Sequence, residues 1–173
     1  VDTAIRGVLS GSTLPLILAA SQPMAALFRS VNTYPHLAGE RHHSNPSSAS
    51  DAELADGART ILDEVYADQL AELAERFDAM RSQGRTAVDL SDLARLSTLG
   101  AVDTLLVDMD RSIPGSIDEA GVVTFDEADD ATNHGVADEI ARRVFTAGGR
   151  VLAVRSDDLP DGDAAAGILR FAV

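Results

Sequence analysis

The run LSTLGAVDTLLVDMDR, from Leu96 to Arg111, constrains this chain more than any other stretch. It joins the end of an amphipathic helix, a stop at Gly100 and an apolar strand with Asp108 and Asp110 at its far end. Gly100 suits the left-handed conformation that closes a helix, which a side chain resists. Thr104 to Val107 has no polar face, so the strand must be covered on both sides. A chain built around that step needs helices above and below a sheet.

The rest of the sequence keeps alternating between the two periods. Ile5, Val8 and Leu9 share one face of a short helix over Thr3 to Leu9, and the Gly11-Ser12 break ends it. Leu14 to Ala20, LPLILAA, is too short and too evenly apolar for an amphipathic helix and is expected as a strand buried on both faces. Pro23 opens a helix whose buried stripe is Met24, Leu27, Phe28 and Val31. Residues 32–49, rich in Pro, Ser, Asn and His, are expected as a long flexible loop.

Ser50 and Glu53 form a capping box, in which hydroxyl and carboxylate each take the other residue's amide. The helix they start carries Leu54, Ala58, Ile61, Leu62, Val65, Leu73, Phe77 and Met80 at helical spacing until Gly84. At ~1.5 Å per residue it would run roughly 50 Å, so a bend near Gln69 is expected. Asp89 caps the next helix, which bears Leu90, Leu93, Ala94 and Leu96. Val122 to Phe125 is a short strand after the Pro114-Gly115 turn, and Asp126 to Asp130 is a solvated acidic run. A helix from Asn133 turns Val136, Ile140, Val144 and Phe145 inward and ends at Gly148-Gly149. Val151 to Val154 is another buried strand, and Gly167 to Val173 a half-covered strand at a sheet edge. Such alternation favours a mostly parallel or mixed central sheet with helices on both faces. With 173 residues and no internal repeat, one domain over 1–173 is expected.

Composition narrows the function further. No run approaches the roughly 18 to 20 apolar residues of a membrane span, and no leader-like start is present, so a soluble, cytoplasmic protein is expected. All 14 basic residues are Arg and none is Lys, which excludes a Lys Schiff base or a phosphate-binding Lys. Residues 1–48 hold three Arg against two acidic residues, and residues 49–173 eleven against twenty-six. A field of that sign repels phosphate backbones and favours basic partners, so direct nucleic-acid binding is not expected. Without Cys there is neither disulfide nor thiolate chemistry.

Three separated pieces together resemble one family: LPLILAASQPMAALFRSVNTYPHL, GAVDTLLVDMD and GRVLAVRSDDLPDGDAAAGILRF. The middle piece is similar to the Gly-Ala-Val-Glu-Thr-Leu-Leu passage in the C-terminal domain of the eukaryotic class-one release factor and of Pelota. The last is similar to the Gly-Ile-Ala-Ala-Ile-Leu-Arg-Phe end of Pelota. The whole most resembles the C-terminal domain of a bacterial archaeo-eukaryotic release factor-like protein. That resemblance implies a three-layer α/β/α domain, as in kink-turn RNA-binding ribosomal proteins, forming the C-terminal part of a longer chain. It also implies a protein partner, a ribosomal component, GTPase or recycling factor. The family's peptidyl-tRNA hydrolysis belongs to another domain with a Gly-Gly-Gln loop, and the one Gly-Gly here, at Gly148 and Gly149, precedes Arg150.

Other chemistries compete for the same residues. LLVDMDRS resembles the Asp-x-Asp nucleophile strand of haloacid-dehalogenase-like phosphatases, with Asp108 attacking phosphorus, Asp110 moving a proton and magnesium offsetting the charge. That family normally opens with this motif and uses a downstream Lys or Arg. Asp161 and Asp163 could be offered as its metal ligands, but an acidic turn between strands explains them at lower cost. His36, Glu40, His42 and His43 could bind zinc, but adjacent His42 and His43 point apart in an extended segment. His134 has the character of a surface residue. Ser10 precedes the first apolar run and lacks a nucleophile elbow, and no Walker or dinucleotide fingerprint occurs. Structured-RNA binding would rest on Arg142-Arg143 with two Tyr and no Trp for stacking; the pair equally complements a helix C-terminus. The expectation is a non-catalytic interaction domain, with no catalytic residue, metal or cofactor, serving translation termination or ribosome rescue.

Overall fold

The computed structural model describes residues 2–39, 48–126, 135–161 and 164–173. Its contacts gather into two compact units, residues 1–70 and 71–173. The division falls inside a single helix, next to Gln69.

The first unit holds α1 (Asp2–Val8), α2 (Met24–Val31) and the first part of α3 (Asp51–Arg81). The capping box starts α3: the Ser50 amide donates to Glu53 Oε2 at 2.7 Å, and the Glu53 amide to Ser50 Oγ at 3.3 Å. At ~1.5 Å per residue its 31 residues span about 46 Å.

LPLILAA is not a sheet strand. Its only bridge among the described residues joins Leu16 in parallel to Leu37, through Leu16 N–H to His36 O and Ala38 N–H to Leu16 O, both 2.8 Å. Apolarity alone does not supply the flanking backbone that a central strand requires. Ile17, Leu18 and Ala19 instead lie beside Leu54, Ala58 and Ile61 of α3. Of the expected loop, residues 32–39 are tied down. The buried Tyr34 donates its hydroxyl to Leu14 O at 2.7 Å, and Arg29 donates to Ala38 O at 3.1 Å. Residues 40–47 lie outside the described residues.

The second unit is built on a four-stranded sheet ordered β1 (Thr86–Ala87), β6 (Ala165–Leu169), β2 (Val102–Asp108) and β5 (Arg150–Val154). Only β2 and β5 run parallel; β6 is antiparallel to both neighbours, so the sheet is mixed. Period-two alternation sorts β2 and β6 between two faces. Leu105, Val107, Ala165 and Leu169 pack with α4 (Leu90–Thr98) and α5 (Val136–Thr146) through Leu93, Leu96, Val136, Ile140 and Val144. Ala166 and Ile168 pack against Phe77 of α3. Phe77 is wholly buried, a contribution of about 2–3 kcal/mol. Helices therefore cover both faces.

The predicted caps on α4 are in place. Asp89 Oδ1 accepts from the amides of Ser91 and Asp92 at 2.9 and 3.0 Å, and Gly100 is left-handed at φ 68°. The last strand departs from expectation. It lies over Ala165–Leu169, every residue buried, in the sheet interior rather than at its edge. Ala and Gly have low strand propensity, which hides such a segment from a propensity-based reading. Here small side chains let the covering layer approach: a Cβ on Gly167 would stand 2.6 Å from Leu93 Cδ2. The edge is the two-residue β1, too short to show a period. A separate hairpin pairs β3 (Gly115–Ile117) with β4 (Val123–Phe125), and the expected Pro114-Gly115 turn is where β3 begins.

Candidate functional site

The C-terminal ends of the parallel pair β2 and β5 meet the start of α5, and ligands of open α/β sheets commonly bind at such carboxyl ends. β2 runs out at Asp108, which is only 3% exposed. Its Oδ2 accepts a hydrogen bond from the Ser156 hydroxyl, and its Oδ1 accepts the Asp110 amide at 2.9 Å. Ser156 opens a single 3-10 turn, Ser156–Asp158, just after β5. The Ser156 hydroxyl, then the Asp110 amide, hold the Asp108 carboxyl below its ordinary range against the opposing effect of burial, with Arg111 adding a smaller attraction. A cleft of about 450 Å³ lies alongside, lined by Asp108, Asp110, Arg111, Ser112 and, from α5, Asp138.

This corner holds the Asp-x-Asp pair of the phosphatase alternative, with the Asp110 backbone amide donating to the Asp108 carboxylate. Both Asp108 oxygens, however, hold protein donors, and the carboxylate fastens two strand ends together. Asp161 stands on a different contact, its Oδ2 accepting from Arg81 at 2.6 Å, while Asp163 lies outside the described residues. Of the zinc candidates, exposed His36 meets the Tyr34 ring edge-on at 5.5 Å. Glu40, His42 and His43 lie outside the described residues, as does His134. No three His, Asp or Glu side chains gather as metal ligands among the described residues. None of the described helices is long and apolar enough to cross a membrane.

Arg142 and Arg143 are both committed to Glu139. Arg142 donates to both Glu139 oxygens at 2.7 Å, and Arg143 Nε donates to Oε1 at 2.7 Å. Arg143 also reaches Thr98 Oγ1 on α4 and the carbonyls of Ile117 and Asp118, at 2.9 and 3.0 Å, on the β3–β4 hairpin. It is thus a strut joining three elements. Glu139 is lowered to about 2, chiefly by the Arg142 hydrogen bonds, against burial and with further help from Arg143. No nearby sequence spacing announces these contacts, because Thr98 and Ile117 are remote from Arg143 along the chain.

A cleft of mixed polar and apolar lining runs alongside α4. It is bounded by β1, by Asp92, Arg95 and Leu96 of that helix, by Leu99 just past its end and by Val173, and it has a volume of about 570 Å³. Leu99 and Val173 are each 72% exposed. No sequence signal marks this cleft, because an apolar residue such as Leu99 is ordinary at the end of an amphipathic helix.

Residues 1–68 match the sequence model of Bacterial archaeo-eukaryotic release factor family 11. No curated protein matches the sequence. Among solved structures, archaeal Pelota in a ribosome-bound assembly with ABCE1 is similar over 99% of this chain and 48% of its own, at 20% identity and TM-score 0.62. The C-terminal domain of the peptide chain release factor from Methanosarcina mazei is similar over 73% of this chain and 98% of its own, at 15% identity and TM-score 0.55. Archaeoglobus fulgidus Pelota is similar over 99% and 53%, at 20% identity and TM-score 0.50. The chain spans about half the length of these Pelota proteins. The expected resemblance is borne out as similarity: residues 1–68, which include the first quoted segment, match the model of bacterial archaeo-eukaryotic release factor family 11, and the fold is similar to that of Pelota.

Proposed function

We propose that this chain is a docking domain, without catalysis of its own, from a longer cytoplasmic protein acting in translation termination or ribosome rescue. The observation carrying this reading is the likeness of nearly the whole chain to a Pelota that is itself bound to a ribosome with ABCE1. The corner at Asp108 supports the non-catalytic part, since its carboxylate is engaged by Ser156 and Asp110. Net charge supports a protein partner over RNA, because residues 71–173 hold ten Arg against twenty acidic residues.

Sedimentation with and without stalled ribosomes tests the reading. The protein, tagged at its own locus, should move with ribosomal fractions when translation is stalled and should bring down ribosomal proteins or a translational GTPase. A protein that stays at the top of the gradient in both conditions and recovers neither overturns it.

A further inference from the structure

β1 is the outer strand of the sheet, with β6 on one side. The Leu169 amide donates to Arg85 O at 2.9 Å, and the register sets Thr86 against Ile168 and Ala87 against Gly167. Bonded pairs recur every second residue of an antiparallel ladder, so Ala87 exchanges hydrogen bonds with Gly167, while Thr86 and Val88 turn their N–H and C=O groups outward. Those groups open onto the 570 Å³ cleft beside α4, whose far wall carries Leu96 and Leu99 and whose end carries Val173. Among the described residues no strand pairs with this outer edge, and such an edge beside a helix, with apolar side chains nearby, is the arrangement that receives an added strand.

Charge selects the occupant. Asp89 and Asp92 line it, and Arg95, the one cation among the described lining residues, pairs with Asp92 at 2.9 Å with both side chains more than half exposed. Such a pair is weak and yields to a better-placed partner. A second copy of this chain, with net charge −14, brings the wrong sign. We infer that the cleft between β1 and α4 takes an extended, basic segment of a partner protein, which pairs its backbone with Thr86 and Val88 and seats an aliphatic side chain between Leu96, Leu99 and Val173. This deepens the docking reading and rests on it.

The probe is a short, blocked peptide alternating Val and Thr between terminal Arg residues, compared with its Glu-ended counterpart and with a version N-methylated on alternate amides. Binding is followed by backbone amide shifts of the intact chain at low and high salt. The Arg peptide should bind roughly tenfold or more tighter than the Glu peptide, weaken with salt, and shift Thr86, Val88 and Leu99. N-methylation should abolish binding. Thr86→Pro removes an outward N–H while sparing the bonds to β6, so it should lose binding with an unchanged melting midpoint; Leu99→Arg checks the apolar wall independently. Equal binding of the Arg and Glu peptides, tolerance of N-methylation, shifts confined elsewhere, absence of binding, or self-association through this edge would each overturn the inference. A chain that fails here yet sediments with stalled ribosomes keeps its docking role through another surface.

Discussion

The Ser156 hydroxyl donates to Asp108 Oδ2, and this contact ties the end of β2 to the turn that follows β5. Because the Asp110 amide takes the other oxygen, the carboxylate acts as a clasp. A buried acceptor of this kind is costly to remove, since its donors lose their partner.

Asp108→Asn keeps one acceptor and forces Ser156 to reorient, whereas Asp108→Ala strands both donors. Thermal melting should drop by several degrees for Ala and by less for Asn. Magnesium-dependent release of phosphate from p-nitrophenyl phosphate should stay at background in wild type and in Asp108→Asn alike. Turnover in the wild type that the Asn variant loses would contradict the clasp.

Arg143 joins α5 to α4 and to the β3–β4 hairpin by three hydrogen bonds, and a fourth, to Glu139, holds it within α5. Arg143→Ala should cost about 3 kcal/mol in urea unfolding, since bonds to charged groups carry about 1.5–3 kcal/mol each and part of the loss is recovered by water. Arg143→Lys should recover little, because an ammonium cannot reproduce the planar fork. Hydrogen exchange in the hairpin should rise in both variants.

Glu139 sets a pH dependence whose sign follows from its direction of shift. Its value falls from an ordinary 4.5 to about 2 in the folded chain, so the stability it supplies is complete above 4.5 and is lost as pH falls toward 2. Urea midpoints followed through that window should fall in the wild type. Glu139→Gln should be less stable at neutral pH but should lose less across the same window. Parallel curves for the two proteins would refute this.

Gly121 closes the hairpin at φ 87°, and a Cβ there would stand 2.8 Å from Arg95 Cα and 2.9 Å from Thr98 Oγ1. Neither the backbone nor its neighbour can yield cheaply. Gly121→Ala should therefore destabilise by roughly 2–4 kcal/mol, through left-handed strain together with overpacking against α4. Circular dichroism melts measure it.

Local signals were legible in the sequence wherever the physics is local. The Ser50–Glu53 box, the Asp89 cap, the Gly100 stop and the β2 strand with Asp108 at its end all depend on residues within one turn or one pleat of each other. Two long-range features were not legible. LPLILAA has strand composition but obtains a bridge only at Leu16, because strand pairing needs a neighbour that composition does not name. The interior strand β6 was misplaced toward Arg170 and Phe171, since alternation there imitates a pleat while Ala165–Ala166–Gly167 signals none. At the candidate site the DMD motif located the corner, but the donors that engage it could not be read, Ser156 lying 48 residues beyond Asp108. The same holds for Arg143, whose strut to Thr98 bridges 45 residues.

The near absence of side-chain volume in Ala165–Ala166–Gly167 has a bearing on what the second unit can evolve to do. With that strand flanked on one face by Leu93 and on the other by Phe77, its layers sit at a separation that backbone dimensions dictate. Enlarging any residue there would prise a helix off the sheet. New specificity in such a domain has to be acquired at its rim, where loops and strand ends can change without disturbing the stack.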